Sequence, residues 1–357
     1  MNSTNGFIPD WSSAPGDTIA DILKDLHLSI EEFAERIGQT ADYTRELLDG
    51  HATITIAVAR RLERVLGASV AFWMSRDYQY REDIRRRAIT DQEWLDQLPV
   101  SDMINFGWVR PTPHPSEEMP ACLKFFGVPT VAAWRQAYGK LHEIVAFRKS
   151  PSFDSRPASV AAWLRQGEIE AEAIECGPWD RLRFESSLSS VRSLTRVKEP
   201  RHFIPKLQEM CAANGVAVSV VRAPNGCRES GATRFLSSGQ ALLLLSFRHL
   251  SDEQFWFSFF HEAGHLVLHG DKRLFLEGAD TLLTTEEQEA NDFAARILVP
   301  PEFEQAMLRL PIEGRAVIKF ARKVGVCPGV VVGQLQHHGK LNYQQLNSLK
   351  RRYSWEE

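Results

Sequence analysis

The segment Asp252–Leu268, D-E-Q-F-W-F-S-F-F-H-E-A-G-H-L-V-L, sets two histidines four residues apart inside a run of mostly aromatic and aliphatic side chains. Such a run reads as a helix, and positions i and i+4 of a helix lie one turn apart on the same face. His261 and His265 therefore aim two imidazoles at one point. Imidazole suits zinc, and a catalytic zinc keeps three protein ligands and one open position. Glu262 lies beside the first histidine, where it reaches a water at that open position rather than the ion, and takes its proton. The arrangement is His-Glu-x-x-His. The competing reading is two unrelated histidines, a rare coincidence among the 11 histidines of 357 residues. The aromatic residues Phe255, Trp256, Phe257, Phe259 and Phe260 read as core rather than as a ligand cage.

A third ligand has to come from elsewhere in the chain. The next helical stretch, E-E-Q-E-A-N-D-F-A-A, offers Glu286, Glu287 and Glu289. Zinc peptidases that use a glutamate place it three residues before a small residue, with Asp or Asn following. Glu287, Ala290 and Asn291 fit that spacing, and Glu289 stays a rival. Asn291 would then hydrogen-bond a ligand histidine. His269, one turn beyond His265, either closes the site as a fourth ligand, caps the helix end or helps to bind substrate.

The chain changes character along its length. Residues 17–66 read as short helices with clear punctuation. Asp17 or Thr18 caps the first, and Ser29 with Glu32 forms a capping box for the second. Gly38 ends that helix, and Thr40 caps a third over Ala41–Asp49. A fourth runs from about Thr55 to Leu66, and Ser69 starts another short one. Tyr43, Leu47 and Leu48 are candidate buried positions. Helix, tight turn, helix is the helix-turn-helix layout. Residues 88–200 read as helices separated by proline-rich breaks. From 200 onward strands enter, at Val216–Val221, Ala232–Leu236 and Ala241–Phe247, before the histidine-bearing helix and a helical tail. A second helix, turn, helix pattern at 320–337 is expected to pack against its neighbours.

The segments F-W-F-S-F-F-H-E-A-G-H-L-V-L-H and E-E-Q-E-A-N-D-F-A-A-R-I-L-V-P resemble the ImmA/IrrE family of bacterial metallopeptidases. The resemblance extends from S-G-A-T-R-F-L to F-A-R-K-V-G-V-C-P-G, covering roughly residues 200–345. It implies a zincin-like fold, a zinc ion held by His261, His265 and Glu287, and Glu262 as general base. It also implies limited proteolysis of a regulatory protein, often a repressor. Asn291 stands where many zincins have Asp. Residues 17–80 look like the helix-turn-helix of the XRE and HigA antitoxin class, through P-G-D-T-I, S-I-E-E-F-A-E-R-I-G, L-L-D-G and R-R-L-E-R-V-L-G-A-S-V-A-F-W. That likeness makes Ala41–Asp49 the recognition helix, with Gln39, Thr40, Tyr43, Thr44 and Arg45 toward operator DNA.

Charge argues against the last step. Residues 17–66 hold six Lys and Arg against ten Asp and Glu, a net charge of −4, whereas DNA affinity depends on neutralising phosphates. The whole chain also carries −4, too little to imply a nucleic-acid or membrane partner. The opening residues carry no signal peptide, and no apolar stretch is long enough for a bilayer. Five scattered cysteines without a C-x-x-C pair favour reduced thiols in a cytoplasm. Arg234 and Arg248 are candidates for stabilising an oxyanion or for fold-holding ion pairs.

The sequence therefore predicts an α+β, predominantly helical protein. A helix-turn-helix domain spans 15–80, a helical middle region 88–200, and a zincin-like peptidase domain with a small β-sheet 201–357. The expected function is a zinc endopeptidase that cleaves a repressor-type regulator. The alternative is an antitoxin-type DNA-binding regulator whose zinc domain senses or is non-catalytic. A homodimer is compatible with either reading.

Overall fold

The structure, a computed structural model, describes residues 13–147, 156–248, 250–270, 275–277 and 285–355. Side chains at 86–88, 140–147 and 275–277 are outside that description. The opening segment read above for a leader lies outside the described residues. The chain forms two compact units, Met1–Asp96 and Gln97–Glu357.

The first unit contains α1 (Pro15–Asp25), α2 (Ile30–Arg36), α3 (Ala41–Leu48), α4 (Ile56–Leu66) and α5 (Val70–Gln97). Ser29 and Glu32 form the expected reciprocal cap, at 3.1 and 3.0 Å. Thr40 caps α3 by accepting from the Tyr43 N–H at 3.2 Å. The start of α1 differs from the expectation. Pro15 occupies its first position, where no N–H is needed, and Asp17 instead accepts from the Ala14 N–H at 2.8 Å. The helix after Ser69 is not short either, because Val70–Gln97 contains neither Gly nor Pro to stop it. Ile19, Phe33, Ile37, Leu47, Leu62 and Trp73 form a buried apolar core. Gly38, at φ +61°, makes the left-handed turn out of α2 that few other residues tolerate.

The second unit begins with α6 (Val100–Asn105), α7 (Glu118–Phe126), α8 (Val131–Phe147), α9 (Pro157–Glu172), α10 (Arg181–Val191) and α11 (Pro200–Ala212). A four-stranded sheet follows, in the order β1-β3-β2-β4. Its strands are β1 (Val216–Val220), β2 (Gly231–Phe235), β3 (Ala241–Leu245) and β4 (Phe275–Glu277). β1 runs parallel to β3, and β2 is antiparallel to β3 and β4. β3 is apolar throughout and buried at every residue, as expected of a strand covered on both faces. Ala241, Leu243 and Leu245 join the main core, while Leu244 packs on Gly167 of α9. The middle-region helix α9 is thus a cover for the sheet. Ser219 donates to Glu170 at 2.6 Å and the Trp163 indole donates to the Val221 carbonyl at 3.2 Å.

The opposite face of the sheet carries α12 (Asp252–His269), the histidine-bearing helix. It packs against α13 (Thr285–Leu298) and α16 (Pro328–His337). Two further helices, α14 (Pro301–Leu308) and α15 (Gly314–Val324), complete the unit. α16 is buried from Gly329 to Val332 and again over Gln334–Gln336, so the second helix, turn, helix pattern is core. The chain's tail fixes where α12 starts. Asp252 donates its N–H to the Arg351 carbonyl and accepts from the Arg351 N–H, both at 3.0 Å. Tyr353 and Phe247 then close over Phe255 and Phe203 as an aromatic cluster.

α12 and α13 approach closely at Gly264. A Cβ there would lie 3.1 Å from Phe293 Cδ1 and 3.2 Å from Ala290 Cα. Gly264→Ala sets a helix-propensity gain of about 1 kcal/mol against this crowding and should be near neutral. Gly264→Val should destabilise by about 1–3 kcal/mol through overpacking, which thermal unfolding of the metal-free protein measures.

Candidate metal centre

α12 presents His261 and His265 on one face, as their spacing requires. Their rings lie 4.7 Å apart, nearly perpendicular, and their Nε2 atoms are 3.0 Å apart. α13 buries Glu287, Ala290, Ala294 and Leu298, a helical stripe at i, i+3, i+7 and i+11. That stripe turns the Glu287 carboxylate onto both imidazoles. Its Oε2 lies 3.2 Å from His261 Nε2 and 3.6 Å from His265 Nε2. Zinc bonds of about 2.0–2.1 Å in a tetrahedron separate their donor atoms by about 3.3 Å. The three measured separations bracket that value, so the donor set fits a zinc ion in both chemistry and spacing. Among the described residues these three form the one grouping of candidate metal ligands.

The surroundings orient the candidate ligands. Asn291 sits one turn beyond Glu287, and its Oδ1 is 2.9 Å from His261 Nδ1. It fixes that ring with Nε2 toward the other donors. Glu289 is exposed and 3.0 Å from His269 Nε2, outside the ligand group. His269 Nδ1 faces His265 Nδ1 at 3.0 Å, on the edge of that ring opposite the ligand nitrogen.

Glu262 is fully buried. It lies against Gly231 at the start of β2, where a Cβ would fall 2.6 Å from its Cγ and Oε1. Gly231 is a site residue that sequence reasoning missed. Its signal was a glycine opening a strand, which marks close approach by another group. Arg234 forms an ion pair, one of the two roles expected of it: it pairs with Glu168 at 2.5 Å, and Glu168 pairs with Arg165 at 3.2 Å. Arg248 donates to the Arg228 carbonyl.

In the first unit the residues expected to face DNA separate. Thr40 is exposed and Gln39 half-buried. Tyr43 packs against the core and donates to the Thr53 carbonyl at 3.4 Å. Thr44 does not face outward. It has no exposed surface, and its hydroxyl donates to the Thr40 carbonyl at 2.9 Å, which lets a polar side chain sit in the core. Arg45 is exposed but paired with Asp42 at 2.9 Å and Glu31 at 3.5 Å.

Fold and site together define a helical unit followed by a unit built around a buried two-histidine, one-glutamate cluster. Residues 218–335 match the Peptidase_M78 family model, described as an IrrE N-terminal-like domain. That match lies in the C-terminal part of the chain, and the N-terminal part is similar to a helix-turn-helix regulator. Over 61 residues it is 34% identical to an uncharacterized HTH-type transcriptional regulator, YddM, of Escherichia coli (strain K12). That likeness takes in 17% of this chain and 65% of the relative. No helix among the described residues is long and apolar enough to cross a membrane.

Burial lowers the proton affinity of His265 below its ordinary 6.5, and neighbouring His261 adds to the effect, against the hydrogen bond that Glu287 accepts from it. Burial pushes the Glu287 carboxyl up, but hydrogen bonds and charge from His261 and His265 outweigh it and hold it well below the usual carboxylate range. In both cases the unfolded chain binds protons more readily than the folded one. The stability these groups contribute is present above their unfolded values and is lost on acidification. Metal-free protein should therefore lose melting temperature as pH falls through about 6.5, the ordinary value of His265, and again below about 4.5, that of Glu287, with the first loss smaller in His265→Gln. A flat profile in wild type would contradict the assignment.

Proposed function

We propose that the chain is a zinc-dependent endopeptidase, joined to a helix-turn-helix domain over residues 15–80, that cleaves a repressor-type regulatory protein in the cytoplasm. The convergence of His261 Nε2, His265 Nε2 and Glu287 Oε2 beside buried Glu262 carries the reading. The match to the Peptidase_M78 model supports it.

His261, His265 and Glu287 would hold a zinc ion, which would supply Lewis acidity toward a water and a peptide carbonyl. The protein's own groups do the rest. Glu262, kept out of bulk water against Gly231, takes the proton of the attacking water on its carboxylate and returns it to the leaving amine. Asn291 holds the His261 ring in place. β4 is an outer strand of the sheet and neighbours β2 at Gly231, which pairs with Glu277. An extended peptide adding to that edge would be held by main-chain hydrogen bonds, close to the strand against which Glu262 rests.

The alternative, an antitoxin-type regulator, draws on the likeness to the HTH-type regulator. Operator DNA would meet Gln39, Thr40, Tyr43 and Arg45, and a dimer would double the contact.

One experiment separates the two. Purified protein with one equivalent of zinc is incubated with the repressor-type proteins encoded beside it, and new chain termini are sought by mass spectrometry. Wild type should cleave. Glu262→Gln should keep its zinc and lose cleavage by at least about 100-fold, the lower end of what a general base contributes. No cleavage by wild type, with specific promoter binding unchanged in Glu262→Gln and lost in Arg45→Glu, would replace the endopeptidase by the regulator.

A further inference from the structure

His269, the last residue of α12, is more enclosed than a helix-end histidine usually is: its side chain is only 8% exposed. Both of its ring nitrogens meet side chains. Nδ1 is 3.0 Å from His265 Nδ1, and Nε2 is 3.0 Å from Glu289 Oε2. Three groups from two helices thus lie in one line: Glu289 on α13, His269 and then His265 on α12.

Proton positions along this line follow from hydrogen-bond logic. A neutral imidazole has one N–H and one acceptor nitrogen. If His265 offers Nε2 as a ligand, its proton is on Nδ1 and must be accepted by His269 Nδ1. His269 then carries its own proton on Nε2, where Glu289 accepts it. The arrangement is self-consistent with neutral rings and an ionised carboxylate. Reversing one ring would set two N–H groups, or two lone pairs, against each other.

We infer that His269 and Glu289 form an outer relay that fixes the tautomer and ring orientation of His265 as a metal ligand. The inference rests on the metal-centre reading above. His269 is a positioning residue, neither a fourth ligand nor a helix cap. Its Nδ1 holds the edge of His265 away from the ligand nitrogen, and its Nε2 is taken by Glu289. The two ligand histidines are therefore held by different chemistry: His261 by the neutral amide of Asn291, His265 by an imidazole backed by a carboxylate.

The full chain provides the test, in variants that separate shape from hydrogen bonding. His269→Phe keeps a ring but no acceptor, whereas His269→Gln keeps an acceptor. Glu289→Leu removes the end of the line at an exposed position. Zinc affinity is measured by competition with a chelator, and the cobalt-substituted protein is examined by visible spectroscopy. Loss of an outer partner of a ligand histidine typically weakens metal binding about 10–100-fold. His269→Phe should show a loss in that range with a changed cobalt spectrum, His269→Gln should restore most of the affinity, and Glu289→Leu should fall between. Unchanged melting of the metal-free variants would assign the loss to the site. Wild-type affinity and spectrum in His269→Phe, or a loss in His269→Gln as large as in His269→Phe, would overturn the relay and leave the metal centre standing. A wild type that binds no zinc would overturn both.

Discussion

Two imidazoles and two carboxylates lie in the apolar heart of the second unit: His261, His265, Glu287 and Glu262 are 2%, 1%, 6% and 0% exposed. Burying such groups is costly unless each has a partner. For His261, His265 and Glu287 the structure meets that constraint by bringing three donor atoms to one point and backing each of the two histidines with a further group. Much of the architecture follows. α12 must be held at its start, which the hydrogen bonds between Asp252 and Arg351 achieve. It must be flanked by the sheet and α16, and α13 must come close enough for Glu287 to reach both rings. Gly264 permits that approach, and Gly231 makes room for Glu262 on the sheet side.

What the sequence revealed about the site was what helical spacing alone determines. His261 and His265 share a face at i and i+4, and so do Glu287 and Asn291; the spacing of one pair indicated ligands and of the other a ligand and its support. Contacts between distant segments were not legible. Gly231 precedes Glu262 by 31 positions, and only the closed sheet brings them together. The direction of His269 depends on how α13 lies against α12, so its spacing fitted a fourth ligand as well as an outer partner. Strand positions were readable for β1 and β3 as β-branched or apolar runs, and for β2 from the turn residues Ser237, Ser238 and Gly239 that part it from β3. The three-residue β4 offered no such run.

The first unit shows the same division. Caps at Ser29 and Thr40 are local chemistry and were readable, and the likeness to a helix-turn-helix regulator agrees with the expected layout. Which side of α3 faces outward depended on packing. Thr44 is polar by composition yet sits in the core, its hydroxyl satisfied one turn back along its own helix. The exposed charges of α3 also partly neutralise one another, since Arg45 is shared between Asp42 and Glu31. Exposed pairs of this kind add little stability, but they reduce the positive charge available to phosphate. In this unit, therefore, the helix-turn-helix layout and a strong electrostatic attraction to DNA are separate properties.

The central claim is that His261, His265 and Glu287 hold one zinc ion while His269 stays outside the ligand set. Zinc-edge X-ray absorption on protein of known metal content tests it most directly. The account predicts one zinc per chain in a shell of nitrogen and oxygen at about 2.0–2.2 Å, with multiple scattering from two imidazoles and no sulfur. A third imidazole, a sulfur ligand or no bound zinc would contradict it.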